Sequence, residues 1–188
     1  MALTATIYKV TLQIADIDRH YYHDHALTIA RHPSETDERM MVRVLAFARH
    51  ANESLSFARG RVGAGLKPAP DEPDLWQKDL TGAIDLWIEV GLPEEKHIRQ
   101  ACGRSKQVVV YTYGGHKADR WWEQNRAGLE RSTNLTVINV SPDTTRALAA
   151  LAQRDLHLTC TVQDGDMVIG DGNETVEVKL AVLLPCKT

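Results

Sequence analysis

The sequence predicts an α+β fold with an α/β-like core: a mixed sheet flanked by helices, and an accessory antiparallel sheet made from an N-terminal hairpin and C-terminal strands. Three observations predict it. The middle of the chain alternates extended apolar runs with helical segments, the pattern of strands joined by crossover helices. The start reads as two strands around one turn, and the last third reads as short strands separated by Asp-Gly turns.

Residues 5–14 alternate small or polar side chains with Ile7, Val10 and Leu12, and a second extended stretch, residues 21–30, follows the turn at Asp16-Ile17-Asp18. Pro33-Ser34 opens a helix with Ser34 as its cap and Asp37 three positions on, a capping-box variant that runs to about Ala51. A short strand at 55–58 leads into residues 59–74, rich in Gly and Pro, which read as a loop within a domain. Residues 83–90 alternate strictly, and Pro93 then starts a helix with Glu94 and Glu95 at its positive end, closing near Cys102-Gly103. Residues 107–113 are apolar on both faces, as a central strand between helical layers should be. A helix from His116 to about Arg126, a strand at 135–140 and a helix opened by Ser141-Pro142 continue the alternation. Residues 156–162, 167–169 and 175–184 form a closing meander.

The chain has 188 residues, 43% of them hydrophobic, enough for one substantial core, so a single domain spanning 1–188 is expected. No run approaches the roughly 18 apolar residues of a membrane span, and the start lacks a signal-peptide core. Cys102, Cys160 and Cys186 lie too far apart for paired zinc ligands and fit free thiols in a reducing cytoplasm. A formal net charge of -3 argues against coating nucleic acid by bulk electrostatics and leaves room only for a local basic patch.

The candidate chemistry lies in three carboxylates. On a helix, Glu38 shares a face with Met41, Leu45 and Ala48, directed at the core; the alternative is a first-turn acid tilted toward water. On the strand 83–90, Ile84, Leu86, Ile88 and Val90 form one face, leaving Asp85, Trp87 and Glu89 on the other, either lining a site or simply half exposed. Carboxylates on a rigid sheet beside a helix glutamate suit a hard cation such as Mg2+, which takes oxygen ligands and keeps several waters. Phosphodiester hydrolysis is the matching chemistry: the metal polarises phosphate and acidifies a water, and a lysine stabilises the developing charge.

The run His32-Pro33-Ser34-Glu35-Thr36-Asp37-Glu38-Arg39-Met40-Met41, followed by Ile84-Asp85-Leu86-Trp87-Ile88-Glu89-Val90-Gly91-Leu92-Pro93, resembles the signature segments of the YaeQ family. The opening Met1-Ala2-Leu3 and the late Gln163-Asp164-Gly165 resemble it too, so the likeness covers essentially the whole chain. This resemblance implies a variant of the PD-(D/E)XK nuclease superfamily with a restriction-endonuclease-like core: a helix, three strands, a second helix and a further strand. The sequence supplies that order with one strand short, which is expected between Arg61 and Leu80. The resemblance also implies Glu38 as the first-helix glutamate, Asp85 and Glu89 as sheet carboxylates, all three as catalytic and metal-holding groups, and Lys96 as a relocated catalytic lysine.

Two departures bear on catalysis. The superfamily lysine stands two residues after the strand acid, and after Glu89 that position is Gly91. Lys96 either reaches back to the site or stays a solvated surface lysine. Asp85 and Glu89, four residues apart on one strand, are separated by roughly 13 Å, too far for one ion to touch both. Either a bulge shortens the gap, or the two act separately, with Glu38 or Asp79 completing one site.

Arg31, Arg39, Arg43 and Arg59 are a candidate phosphate-facing rim for substrate, against the ordinary outcome of arginines on a helix's wet face. His20, His23 and His25 read as a polar hairpin tip or edge rather than a metal site. Trp121-Trp122 are candidates for stacking on bases, against the ordinary outcome in which one packs in the core and the second marks a partner surface. The sequence therefore supports three readings: a cytoplasmic, magnesium-dependent nuclease-like hydrolase; a non-catalytic module that binds nucleic acid or protein while retaining the fold; and a purely structural or interaction protein with Trp121-Trp122 on a dimer surface and the acids in water.

Overall fold

The structure, a computed structural model, describes residues 5–58 and 72–187. Its elements run β1 (Thr6–Asp16), β2 (Tyr21–Arg31), α1 (Asp37–His50), β3 (Leu55–Phe57), β4 (Leu75–Lys78), β5 (Ile84–Val90), α2 (Glu95–Arg104), β6 (Ser105–Thr112), α3 (His116–Leu129), β7 (Leu135–Val140), α4 (Pro142–Ala150), β8 (Asp155–Gln163), β9 (Asp166–Gly170), β10 (Thr175–Val178) and β11 (Leu180–Leu184). They build two mixed sheets, ordered β10-β9-β8-β1-β2 and β11-β7-β6-β5-β4-β3.

Side-chain alternation decides which face of each strand is buried. On β1, Tyr8, Val10, Leu12 and Ile14 are buried while Ile7, Lys9, Thr11 and Gln13 face water, so the first sheet is wet on one side. Its dry side shares one core with α1, with Leu148 of α4, and with Leu86, Ile88, Val90, Val109, Tyr111, Ile138 and Val140 of the second sheet. A second core lies on the other face of that sheet. There Trp87, Val108, Val110, Leu135 and Val137 meet Ile98 and Ala101 of α2 and Trp121 and Leu129 of α3. The layers are thus sheet, helices, sheet, helices.

The parallel run β5-β6-β7, each strand returned by a crossover helix, is the buried centre, which is why its strands are apolar on both faces. The expected extra strand is β4, inside the window between Arg61 and Leu80; most of the loop expected at 59–74 lies outside the described residues.

Four expectations need correction. The cap of α1 is Thr36, whose side chain accepts from the Arg39 amide at 3.2 Å. Ser34 is instead taken by His32 Nδ1, 2.6 Å from its Oγ, inside the turn that precedes the helix. Pro93 is not at the first helical position, because α2 begins at Glu95 after a Glu94 cap. The accessory sheet is not purely antiparallel: β8 joins β1 in parallel, Leu12 opposite Leu158. The strand expected over 175–184 divides between the sheets, β10 pairing with β9 and β11 with β7. Lys179 marks the crossing, its N–H donating to Thr144 Oγ1 and its carbonyl accepting from the Ser141 amide at the start of α4.

Candidate functional site

The second sheet separates the carboxylates that the sequence groups together. Leu86, Ile88 and Val90 of β5 face α1, so Trp87 and Glu89 face the opposite layer. Glu89 is buried there, and its Oε1 accepts from Trp87 Nε1 at 3.0 Å and lies 2.8 Å from His97 Nε2 of α2. Glu38 belongs to the first turn of α1, on the other side of the sheet. It is half exposed and close enough to Tyr113 to help raise that phenol's pKa, after the larger effect of burial.

A bulge does interrupt β5, but at Asp85 itself: Gln77 faces Leu86 and Lys78 faces Ile84, leaving Asp85 as the extra residue. Its carboxylate reaches Lys106 Nζ at 2.5 Å, and that pairing raises the lysine's pKa. Asp79 caps its own turn, accepting from the Thr81 and Ala83 amides and the Thr81 hydroxyl. Lys96 is exposed on α2. A magnesium ion would need Glu38, Asp85 and Glu89 to converge, and they do not. Among the described residues no three His, Cys, Asp or Glu side chains are grouped to hold a metal ion.

Oxygens do converge at a place the sequence reading passes over. Arg39 Nη1 donates to Glu35 Oε1 at 2.8 Å, and its Nη2 donates to Asp74 Oδ1 and Oδ2 at 2.8 and 2.9 Å and to the Val90 carbonyl at 3.1 Å. Arg43 Nη2 takes Glu35 Oε2 at 2.8 Å and the Ala30 carbonyl at 3.3 Å. The Val90 amide donates to Asp74 Oδ2 at 2.8 Å. Glu35 and Asp74 are 8% and 5% exposed, so both charges rely on these partners. Burial works against the Arg39 charge, but Asp74 and then Glu35 overcome it and raise the arginine's pKa above its ordinary value.

This network assigns the arginines differently from a phosphate-facing rim. Met40 through Ala48 are all buried, because α1 is packed between two sheets and has no wet face along that stretch. Arg43 is inside, Arg39 is enclosed, and Arg31 is bonded to Asp37 at 2.7 Å and to the Glu35 carbonyl at 3.2 Å. Arg59 lies outside the described residues.

The groups missed are Glu35, Asp74 and His97. Asp74 stood in a Pro-Asp step just before a strand, and Glu35 and Arg39 are one helical turn apart, the spacing of an ion pair. Those were the available signals. Nothing in the sequence pointed His97 at Glu89. The histidines of the hairpin lie at an edge, β2 being the end strand, with His25 turned inward against Phe47 and the Tyr21 hydroxyl 2.8 Å from its Nε2. Trp121 is core, its Nε1 donating to the Pro93 carbonyl at 2.8 Å, and Trp122 packs partly against the same cluster.

No described helix is long and apolar enough to cross a membrane. The family model described as "YaeQ protein" matches residues 1–180. Proteins described as "Uncharacterized protein YaeQ" from Escherichia coli K12 and Salmonella typhi are 43% and 41% identical to the chain over 180 residues, 96% of each partner. The crystal structure of YaeQ protein from Xanthomonas axonopodis pv. citri is 44% identical, with a TM-score of 0.88 over 96% of this chain and 98% of that one. The YaeQ protein structure from Pseudomonas syringae has the same TM-score at 33% identity, over 96% and 97%. With a family match over nearly its full length and relatives this similar, the chain belongs to the YaeQ family.

Proposed function

We propose that the chain is a non-catalytic relative of the PD-(D/E)XK nucleases, a module that keeps a restriction-endonuclease-like core and binds a macromolecule, nucleic acid or protein, without cutting it. The succession α1, β3, β4, β5, α2, β6 supports the architectural part, being the helix, three strands, helix and strand of that superfamily. Fold alone carries no function, so the argument rests on the site.

The single observation that carries the reading is the dispersal of the three expected acids. Glu89 is bonded to Trp87 and His97, Asp85 is paired with Lys106, and Glu38 stands across the sheet from Glu89. Metal-assisted hydrolysis needs ligand oxygens within about 2.0–2.6 Å of one ion. Groups on opposite faces of a sheet cannot meet that demand without breaking the core between them.

A binding role is supported by the hairpin β4–β5. Asp79 pins its turn through three hydrogen bonds, so the fully exposed Leu80 is presented on a rigid tip. Lys78 stacks over Trp76 at 3.4 Å on the same strand, β4, so an aromatic and a cationic group stand beside that tip.

The test has two arms. Purified protein is incubated with plasmid DNA, single-stranded DNA and RNA in Mg2+ or Mn2+, and binding of the same nucleic acids is measured by fluorescence anisotropy. No nicking is expected from wild type, and any association should be the same for Glu89→Gln and weakened by Leu80→Asp or Trp76→Ala. Metal-dependent cleavage that disappears in Glu89→Gln overturns the reading.

A further inference from the structure

We infer that Arg39 is a built-in replacement for a divalent cation: its guanidinium fills an oxygen cage of the kind a hard metal ion takes, and removing it opens that cage to an ion. The inference rests on the reading of the chain as a nuclease-type domain that has given up hydrolysis, and it says what now occupies its anionic centre.

The cage is assembled from three separate parts of the chain. Glu35 precedes α1, Asp74 precedes β4, and Val90 ends β5. They place four oxygens around one guanidinium, three of them within 3.1 Å of a single nitrogen, Nη2. All four are carboxylate or backbone carbonyl oxygens, with no sulfur or imidazole, the donor set that Mg2+, Mn2+ and Ca2+ accept and that softer ions do not prefer. The contact of Arg39 with Glu35, four residues earlier and just ahead of the Thr36 cap, is local to the start of the helix, but the other three are not. Those depend on the register of β4 against β5, in which Leu75 faces Ile88 and brings Asp74 to the end of the neighbouring strand.

Charge supports the same reading. Among the described residues, Glu35 retains Arg43 when Arg39 is removed, whereas the Asp74 carboxylate retains the Val90 amide alone. A nearly buried carboxylate left with one amide needs a cation or a proton. An ion entering in place of Nη2 must draw the oxygens in by a few tenths of an ångström, since metal–oxygen bonds are about 2.0–2.6 Å long. Ca2+, with its longer bonds and flexible coordination, needs the least contraction, and Mn2+ is the spectroscopic probe of the same class.

The experiment compares wild type, Arg39→Ala, Arg39→Lys and the double variant Arg39→Ala with Asp74→Asn by thermal unfolding, with and without millimolar Ca2+ or Mn2+, and by Mn2+ electron paramagnetic resonance. Arg39→Ala should melt roughly 10 °C below wild type without an ion and recover at least half of that with either ion. The double variant should show no ion effect, and Arg39→Lys, which keeps a cation in place, should lose less stability and bind no ion. If Arg39→Ala purifies unfolded, circular dichroism should show refolding on ion addition. Absence of an ion effect in Arg39→Ala, failure to refold in either ion, or Mn2+ bound by wild type and lost in Asp74→Asn overturns the inference. Cleavage of nucleic acid by wild type that needs Glu89 but survives Asp74→Asn would instead sink the functional proposal and leave this one standing.

Discussion

The imidazole of His50, at the last turn of α1, and the phenol of Tyr111, in the central strand β6, share a hydrogen bond of 2.8 Å across the main core. Tyr111 is fully buried, and burial raises its pKa, so its hydroxyl stays protonated and available as a donor. Burial, reinforced by Arg49 and Arg19, lowers the His50 pKa from 6.5 to about 4.

That shift makes acid the condition under which this contact fails. The native pKa lies below the unfolded one, so between about pH 6.5 and pH 4 the unfolded chain binds the proton more readily. The contribution is complete above pH 6.5 and declines as pH falls to 4, by at most about 3 kcal/mol, since the ring keeps partial access to water. Urea denaturation at pH 7, 5.5 and 4 should show this slope in wild type and a shallower one in His50→Gln. Equal slopes in the two proteins would refute it.

The start of α1 provides a discriminating pair. Thr36 supplies the capping oxygen for Arg39 N, while Ser34 bonds to His32 one turn earlier. Thr36→Ala should cost about 1 kcal/mol and Ser34→Ala less than about 0.5 kcal/mol in equilibrium unfolding. The reverse ranking would place the cap at Ser34.

Helices α2 and α3 approach at Gly128, where an added Cβ would collide with the Glu95 carboxyl. Glycine inside a helix costs about 1 kcal/mol relative to alanine, so Gly128→Ala should stabilise the isolated helix but force Glu95 aside. The single variant should be near neutral. Combined with Glu95→Ser, the same change should add about 0.5–1 kcal/mol, a non-additivity that a double-mutant cycle measures directly.

Asp18, in the β1–β2 turn, accepts from the amides of Asp164 and Gly165 at 2.8 Å each, tying together two turns that lie 146 residues apart in the chain. Asp164 and Gly165 both have positive φ, 54° and 83°, the conformation of a tight hairpin turn. Asp18→Ala should cost about 1 kcal/mol and accelerate hydrogen exchange at those two amides while leaving α3 unchanged. Unchanged exchange at both amides would mean that the turn holds its shape without the clamp.

Local chemistry made much of the architecture legible. Alternation over residues 5–14, read from Ile7, Val10 and Leu12, announced a half-buried strand, although Ile7 lies on its wet face and Tyr8 and Ile14 complete the dry one; Ser141-Pro142 announced the start of α4, where Ser141 does accept from the Thr144 amide. The apolar run of β6 announced a strand covered on both faces. These signals depend on residues within a few positions of one another, which a linear chain displays.

Tertiary packing decided the rest. Residues 175–184 form two strands because Lys179 meets the start of α4, and β8 pairs with β1 in parallel although the whole second sheet intervenes between them in the chain as far as β7. Glu38 and Glu89 are close in pattern but stand on opposite sides of the second sheet, since α1 was claimed by one core and Trp87 by the other. Arg39 and Arg43 looked like surface arginines because the groups that enclose them, Asp74 and the Val90 carbonyl for Arg39 and the Ala30 carbonyl for Arg43, come from other strands and lie off the helix. By itself the sequence determined most of the strands and helices, but not β4 or the division of residues 175–184; only the folded sheets decided which charges meet, because electrostatic partners are set by distance in space and not by spacing along the chain.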